Sequence, residues 1–323
     1  MPMQSSNPSN NSTIRTPIFL VGAERSGTTL LRLMLDHHPQ IAFCHEFEFA
    51  FEGWQDNQWP DLDRYRDWLV RDRIFRSAAV EIDPQLDYPA LINSFLIQKR
   101  DCDQKKLVGA TLHRYFDRAA KIWPQARFIH LVRDGRDVAI STTRMGWAGN
   151  VWTGSQNWLA VETLWDEFRS QKLAQNYFEL KYEDLIYDPV ENLTKLCQFL
   201  EVPYNNAMLS YPQDTTYEPP NTGLVEQWGR KLSSHKIRWV ECRISNLLLA
   251  RDYTLSGLPV QPLSVWEIIY LQIQDIWARA LFCVRRYGWR LYILNFLARK
   301  LRLQSLLHNT QLQIDTIVEA HLQ

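Results

Sequence analysis

Residues 17–29 read Pro-Ile-Phe-Leu-Val-Gly-Ala-Glu-Arg-Ser-Gly-Thr-Thr, and this stretch decides the fold. The short apolar run from Pro17 to Gly22 is typical of a strand buried on both faces of a parallel sheet. Apolar residues then recur at helical spacing from Leu30 to Leu35, until His37, His38 and Pro39 end the segment. The sequence therefore predicts a strand, a loop and a helix.

The loop between this strand and helix has the glycine spacing of a phosphate loop, Gly22 to Gly27, with Thr28 where a nucleotide triphosphatase has lysine. Such a loop directs backbone N–H groups and the positive end of a helix at a phosphate, and the threonine hydroxyls can add donors. Without the lysine, Arg25 becomes the candidate cation at the transferred group. A plain tight turn is the alternative, which the flanking strand and helix disfavour.

A second strand, loop and helix follow at Phe128 to Val132. Arg133 stands at the predicted carboxyl end of this strand, and a helix predicted from Val138 places Ser141 about one turn inside it. The guanidinium and the hydroxyl can close on one phosphate. Two phosphate-binding turns in one sheet predict a nucleotide that is charged at two ends.

The acidic residues of the second loop have a simpler interpretation. Asp134 and Asp137 can pair with Arg136 and cap the helix.

The rest of the pattern alternates strands, at Leu107–Thr111 and Tyr177–Tyr182, with helices, at Arg114–Ile122 and Val138–Arg144. Residues 54–100 predict a helical insertion. The fold class is therefore α/β, a P-loop-type fold in three layers whose central parallel sheet is flanked by helices. The predicted domains are a disordered tail at 1–16, a main domain at 17–262 and a C-terminal helical extension at 263–323.

Composition limits the function classes. The 36 basic and 36 acidic residues cancel, which argues against a nucleic-acid partner. The five scattered cysteines favour reduced thiols, and the N-terminal residues lack a secretory pattern, so we expect a cytoplasmic protein. No segment is apolar enough to span a bilayer.

The C-terminal extension is aromatic, and it carries seven basic and no acidic residues between Arg279 and Arg302. This pattern favours a packing appendage or a homodimer contact over the alternative, a peripheral membrane helix.

The sequence from Arg25 to Glu46 resembles the sulfotransferase superfamily, and most closely its tyrosylprotein sulfotransferase branch with the bacterial relatives of that branch. The resemblance runs to about Leu258 and implies 3′-phosphoadenosine 5′-phosphosulfate as donor. A sulfuryl group bears less charge than a triphosphate, and no acidic residue is placed like the Mg-binding Asp of a nucleotide triphosphatase, so we expect no metal. The resemblance also implies that the first loop holds the 5′-phosphosulfate, that the second holds the 3′-phosphate and that one tyrosine lies near the adenine. These residues are Arg25, Ser26, Gly27, Thr28 and Thr29, then Arg133 and Ser141, and finally Tyr182.

The same resemblance places the proposed catalytic base at Glu46, with Arg25 as the second catalytic residue. An acceptor hydroxyl attacks poorly until a nearby carboxylate takes its proton. His45 is the fallback base. Arg230, after Trp228, falls where the superfamily often has a basic residue close to the nucleotide, although an exposed basic turn explains it equally well.

One departure from the family concerns the leaving group. Many relatives carry Gly-Asp-Lys-Thr-Pro where this chain has Gly-Ala-Thr-Leu-His-Arg at residues 109–114, so no lysine stands at the matching place. Arg25 alone, or His113 and Arg114 with it, would neutralise the leaving phosphate. The acceptor stays open among a peptidyl tyrosine, a carbohydrate and a small molecule carrying a hydroxyl or amine. The rival hypotheses are a P-loop kinase or nucleotide triphosphatase, and a non-catalytic nucleotide-binding module.

Overall fold

A computed structural model describes residues 13–55, 58–173 and 175–322, so most of the predicted N-terminal tail lies outside the described residues. The described strands are β1 (Ile18–Val21), β2 (Ile41–Glu46), β3 (Leu107–Leu112), β4 (Arg127–Val132) and β5 (Tyr177–Lys181). Short 3-10 helices lie at Glu48–Phe51, Asn206–Leu209, Tyr211–Gln213 and Thr222–Leu224.

The α-helices are α1 (Thr28–Asp36), α2 (Leu62–Leu69), α3 (Arg73–Ser77), α4 (Tyr88–Cys102), α5 (Phe116–Ile122), α6 (Gly135–Arg144), α7 (Val151–Gly154), α8 (Gln156–Ser170), α9 (Tyr182–Tyr187), α10 (Pro189–Phe199), α11 (Gln227–Lys231), α12 (Ser234–Ala250), α13 (Val265–Tyr287), α14 (Trp289–Lys300) and α15 (Gln304–Leu322). Among the described residues no helix is both long and apolar enough to cross a bilayer.

The five strands form one parallel sheet in the order β2-β3-β1-β4-β5. The central strand β1 is buried along its whole length, which confirms the strand predicted from the Pro17–Gly22 run. Ile18 lies opposite Gly109 on one side and Arg127 on the other. The α/β prediction, a central parallel sheet flanked by helices, is therefore confirmed. All five carboxyl ends lie at one edge, where open parallel sheets bind ligands.

The edge strand β2 was not predicted. It begins with three buried residues, Ile41 to Phe43, and then becomes polar and exposed at His45 and Glu46. Its pairing with β3 is also irregular, because Phe43 lies opposite Gly109 whereas Glu46 lies opposite Thr111. An advance of three residues along β2 thus corresponds to an advance of two residues along β3, so β2 contains a β-bulge. The bulge brings Glu46, instead of His45, into register with Thr111.

The chain divides into two compact units. The first unit comprises residues up to Arg133 and residues 160–222, and it contains the whole sheet. Its insertion, predicted as helical between residues 54 and 100, contains α2, α3 and α4. Side chains cap all three helices, since Asp61, Asp72 and Asp87 each accept a hydrogen bond from a first-turn N–H group.

The second unit comprises Asp134–Leu159 and the chain from Gly223 onward. Its helix α6 begins at Gly135, three residues before the predicted start, because the Asp134 side chain accepts the N–H of Arg136 and caps the helix. Ser141 consequently lies nearly two turns into the helix.

Arg136 stabilises the beginning of α6. It is buried and pairs at 2.7 Å with both Asp134 and Glu241. The predicted pairing of Asp134 with Arg136 is therefore confirmed, whereas Asp137 accepts the backbone N–H of Trp228 at 2.8 Å.

Candidate functional site

The loop between β1 and α1 is shaped to receive an anion. Gly27 sits at the N-cap of α1 with φ 95°, and no side chain caps the helix there. The first N–H groups of α1 therefore have no side-chain acceptor at the positive end of the helix. A Cβ on Gly27 would lie 2.4 Å from the ring of Tyr182, so only glycine fits at this position. Arg25 also has a left-handed backbone, with φ 70°.

Ser26 adds an unsatisfied donor to this loop. The residue is fully buried, and its hydroxyl has no hydrogen-bond partner within the described structure. Buried hydroxyl groups normally find a partner, so this hydroxyl can donate a hydrogen bond to a group held by the loop. The residues of the loop thus fit a bound phosphate-like group.

Arg133 reaches this loop from the end of β4. Its Nη1 donates to the carbonyl oxygen of Arg25 at 3.2 Å, and its guanidinium carbon lies 4.3 Å from the ring centroid of Tyr182. Tyr182, which follows β5, is itself buried and packs against Gly27. The segments that follow β1, β4 and β5 therefore pack against one another, and Arg133 points towards the Thr28 loop.

A cavity of about 170 Å³ lies beside this loop in the first unit. Its walls come from the phosphate loop and α1, from the ends of β2 and β3, and from α3 of the insertion. The lining residues are Thr28, Thr29, Arg32, His45, Glu46, Arg73, Ile74, Ser77, Thr111 and His113. The cavity brings the predicted base, Glu46, to the same space as two predicted donor-binding residues, Thr28 and Thr29.

Two arginines in this cavity were not predicted. Arg32 is buried, and burial lowers its pKa, against the opposing effect of carboxylates such as Asp36 and Glu46. It lies one helical turn after Thr28, and that spacing was the signal that could have identified it. Arg73 comes from the insertion, and no sequence pattern connects it to the loop. Together they place two guanidinium groups at the same cavity as the carboxylate of Glu46.

His45, the fallback base, lines the same cavity. Although part of the His45 side chain is exposed, the surrounding protein desolvates its charged form and lowers its pKa to about 4, and the nearby cations Arg32 and Lys99 act in the same direction. The imidazole is therefore neutral near pH 7, but it is a weak base because its conjugate acid is strong. Between the two candidate bases, position alone favours Glu46, because Glu46 and not His45 lies in register with Thr111.

Residues 109–114, where this chain lacks the lysine of many relatives, contribute Thr111 and His113 to the cavity wall. The hydroxyl oxygen of Thr111 is buried without a hydrogen-bond partner in the described structure. His113 is held on two sides, since its backbone N–H donates to Glu48 at 2.6 Å and its Nδ1 lies 2.7 Å from the carbonyl oxygen of Gly22. That carbonyl can only accept, so Nδ1 carries a proton and donates it. Burial raises the pKa of Glu48.

The remaining predicted residues lie in the second unit. Ser141 is on α6 and half-buried. Arg230 is exposed and donates from Nη2 to the carbonyl oxygens of Gly223 and Val225, at 3.1 and 3.0 Å. Their nucleotide-binding roles, like those of the other site residues, stay predictions. Among the described residues, no group of three or more His, Cys, Asp or Glu side chains is placed to hold a metal.

Comparison with known proteins gives the family. The profile described as the Sulfotransferase family matches residues 17–206, more than half of the chain. An uncharacterized protein of Aquifex aeolicus is 26% identical over 239 residues, which cover 66% of this chain and 29% of that protein. Protein-tyrosine sulfotransferase 1 of Danio rerio is 29% identical over 248 residues, which cover 67% of this chain and 66% of the relative. The chain thus spans less than two thirds of either relative.

A solved structure supports the fold. The sulfotransferase domain of the Synechococcus PCC 7002 olefin synthase aligns with a TM-score of 0.54 and 21% identity, over 78% of this chain and 100% of that domain. At this identity the similarity concerns the fold alone, and the profile match assigns the family. The chain belongs to the sulfotransferase family.

Proposed function

We propose that this protein transfers a sulfuryl group from 3′-phosphoadenosine 5′-phosphosulfate to an acceptor hydroxyl, with an amine as the less favoured acceptor. One observation carries the proposal: Thr28 and Thr29 of the phosphate loop and the carboxylate of Glu46 line one cavity. A donor group held by the loop and an acceptor hydroxyl beside Glu46 would therefore meet in that space. Membership of the sulfotransferase family supports the same reaction.

The donor fits the loop by charge and by hydrogen bonding. Its 5′-phosphosulfate would accept hydrogen bonds from the first N–H groups of α1 and from the Ser26 hydroxyl, which has no other partner in the described structure. Arg25 and Thr29 would add a cation and a hydroxyl. Arg133 would hold the 3′-phosphate by its guanidinium, with Ser141 as the second predicted contact. Tyr182 near the adenine and Arg230 near the nucleotide complete the proposed set.

The chemistry then follows from positions in the cavity. The acceptor oxygen forms a bond to sulfur in line with the bond that breaks, which joins sulfur to the 5′-phosphate oxygen, and Glu46 takes the acceptor proton. Arg25, Thr28 and the loop amides stabilise the charge that develops on the departing phosphate. Since Thr111 occupies the segment where relatives carry lysine, Arg25 bears most of this task. His113 is an additional candidate, because it lines the same cavity.

The acceptor class can be narrowed by the charges around Glu46. Arg32 and Arg73 line the cavity and favour an acceptor whose hydroxyl has anionic neighbours. Since the Danio rerio relative is named a protein-tyrosine sulfotransferase, we place a peptidyl tyrosine flanked by carboxylates first. Carbohydrates and small metabolites are the other acceptors to test. The cytoplasmic location stays a prediction.

The decisive experiment measures release of 3′-phosphoadenosine 5′-phosphate from labelled donor by the purified protein in the presence of EDTA. Turnover with acidic tyrosine peptides is the expected result. Magnesium-dependent binding and cleavage of ATP, without donor binding, would identify a kinase or nucleotide triphosphatase instead. Tight donor binding without turnover over peptides, carbohydrates and cell extract would identify a binding module.

A further inference from the structure

Helix α13 exposes a continuous apolar face. Trp266, Tyr270, Ile273 and Trp277 recur at intervals of four, three and four residues, and they are 80, 55, 52 and 66% exposed. This spacing places them on one side of the helix. With 23 residues, α13 is about 35 Å long. Leu281 continues the face towards the helix end and is 49% exposed.

The opposite face of α13 is already used inside the second unit. Leu271 and Asp275 are buried there. The carbonyl oxygen of Leu271 accepts from Asn150 Nδ2 at 2.8 Å, and Asp275 accepts the backbone N–H of Gly149 at 2.7 Å. The helix is therefore fixed by one side, and the aromatic side is left facing outward.

Helix α14 repeats this arrangement. Asn295 and Ala298 are buried, while Trp289, Ile293 and Phe296 are 60, 44 and 55% exposed. Large apolar side chains are therefore exposed on two consecutive helices, far beyond the scattered exposure that is normal for a protein surface.

The charge of the same segment is one-sided. Seven basic and no acidic residues occur between Arg279 and Arg302. The two acidic residues earlier in α13 are neutralised, because Asp275 pairs with Arg279 at 2.6 Å and Glu267 pairs with Arg238. Because Arg279 is used in the first pair, six basic residues from Arg285 to Arg302 give the segment its net positive charge around the exposed ring of Trp289.

From this combination we propose that α13 and α14 bind the surface of an anionic lipid bilayer, with α13 lying in the plane of the interface. Exposed tryptophan and tyrosine side chains favour the boundary between headgroups and acyl chains, and arginines there attract anionic headgroups. A second copy of this chain is a poorer occupant. A two-fold contact would bring two like-charged segments together, whereas a bilayer supplies the opposite charge.

The proposal is tested by flotation of the full chain with vesicles of phosphatidylcholine and phosphatidylglycerol. We expect the protein to float with these vesicles and not with phosphatidylcholine alone. Arg285→Gln with Arg290→Gln should weaken binding roughly 25-fold, at about five-fold for each charge removed. Trp266→Ser with Trp277→Ser should abolish flotation.

Matched controls come from exposed residues elsewhere. Arg64→Gln with Arg71→Gln removes two exposed charges from the helical insertion, and Tyr187→Ser removes an exposed aromatic ring; both should float like the parent. Thermal unfolding and donor binding check that each variant is folded. Equal binding to neutral vesicles, or flotation unchanged by the tryptophan substitutions, would overturn the proposal. So would light scattering that shows a dimer which those tryptophan substitutions dissociate.

Discussion

Glu46 lies in register with Thr111 across the β2–β3 pair, because a bulge in β2 takes up one residue between Phe43 and Glu46. Bulges often aim a side chain at an active site. Here both residues line the cavity beside the phosphate loop. The first prediction concerns the chemical consequence of that register.

Glu46→Gln keeps the size of the side chain and removes its ability to accept a proton. We expect kcat for the proposed sulfuryl transfer to fall at least about 100-fold, with little change in the donor KM, since general bases contribute about that much or more. The matched control is His45→Gln, the neighbouring residue, which should change kcat only slightly. A large loss in His45→Gln together with normal turnover in Glu46→Gln would assign the base to the histidine.

The second prediction uses Gly27. Gly27→Ala introduces a Cβ that would lie 2.4 Å from the Tyr182 ring at a residue with φ 95°. We expect donor binding to be lost and the free energy of unfolding to fall by about 2 kcal/mol or more, from overpacking and backbone strain together.

Gly257→Ala is its control. Gly257 has a similar φ of 80°, but no atom lies within 4 Å of the added Cβ. The Gly257→Ala substitution should therefore lower the free energy of unfolding through backbone strain alone and leave donor binding unchanged. Calorimetry with 3′-phosphoadenosine 5′-phosphate and chemical denaturation measure the two effects. Equal loss of donor binding in both variants would show that the contact with Tyr182 is irrelevant.

The third prediction concerns Arg133, whose guanidinium joins the Arg25 carbonyl to the Tyr182 ring. Arg133→Ala should raise the donor KM by ten-fold or more, as expected for a lost charge-assisted pair. Arg133→Lys should recover only part of this, because an ammonium group cannot bind a phosphate in the bidentate manner. Binding of adenosine 5′-phosphosulfate, which lacks the 3′-phosphate, should be affected much less by either change.

The fourth prediction concerns stability and pH. The carboxylate of Glu179 forms a hydrogen bond with His130, and this contact is the main reason that the pKa of Glu179 falls from 4.5 to about 2. Contacts with Trp165 and Arg169 lower the pKa further. A carboxylate with a lowered folded-state pKa stabilises the protein above its unfolded pKa, and this contribution disappears as the pH falls towards 2.

Glu179→Gln should therefore destabilise the protein near neutral pH by about 1 kcal/mol, a value reduced because the carboxylate is partly exposed. The difference from the parent should shrink steadily between pH 4.5 and 2. Urea unfolding at several pH values measures it, and Glu191→Gln, in an exposed pair with Lys195, should show a much smaller effect. A difference that does not depend on pH would contradict the assignment.

The elements next to β1 were predictable because local signals agreed there. The apolar run of Ile18–Val21, the glycines of the loop and the helical repeat of α1 all pointed to one structure. Helix α6 begins three residues before the start predicted at Val138, because the Asp134 side chain caps it. The strand β2 was missed because its residues do not alternate regularly and its bulge shifts the pattern at His45 and Glu46.

The cavity could be predicted only in part. Glu46 and the loop were identified through the family resemblance, and the register with Thr111 then explains how they meet. Arg73 depends on where the insertion folds back onto the sheet, which no local pattern encodes. The helical spacing from Thr28 indicates that Arg32 lies on the same face of α1. An arginine on a helix is usually solvated, however, and the burial of Arg32 follows from tertiary packing.

The position of β1 at the centre of the sheet also has a consequence for synthesis on the ribosome. Ile18 pairs with Gly109 and Arg127, so about 90 further residues must be made before the strand finds its first neighbour. At ordinary translation speeds this takes about 5 to 20 s. During that interval the apolar segment lacks its partners and is open to wrong associations.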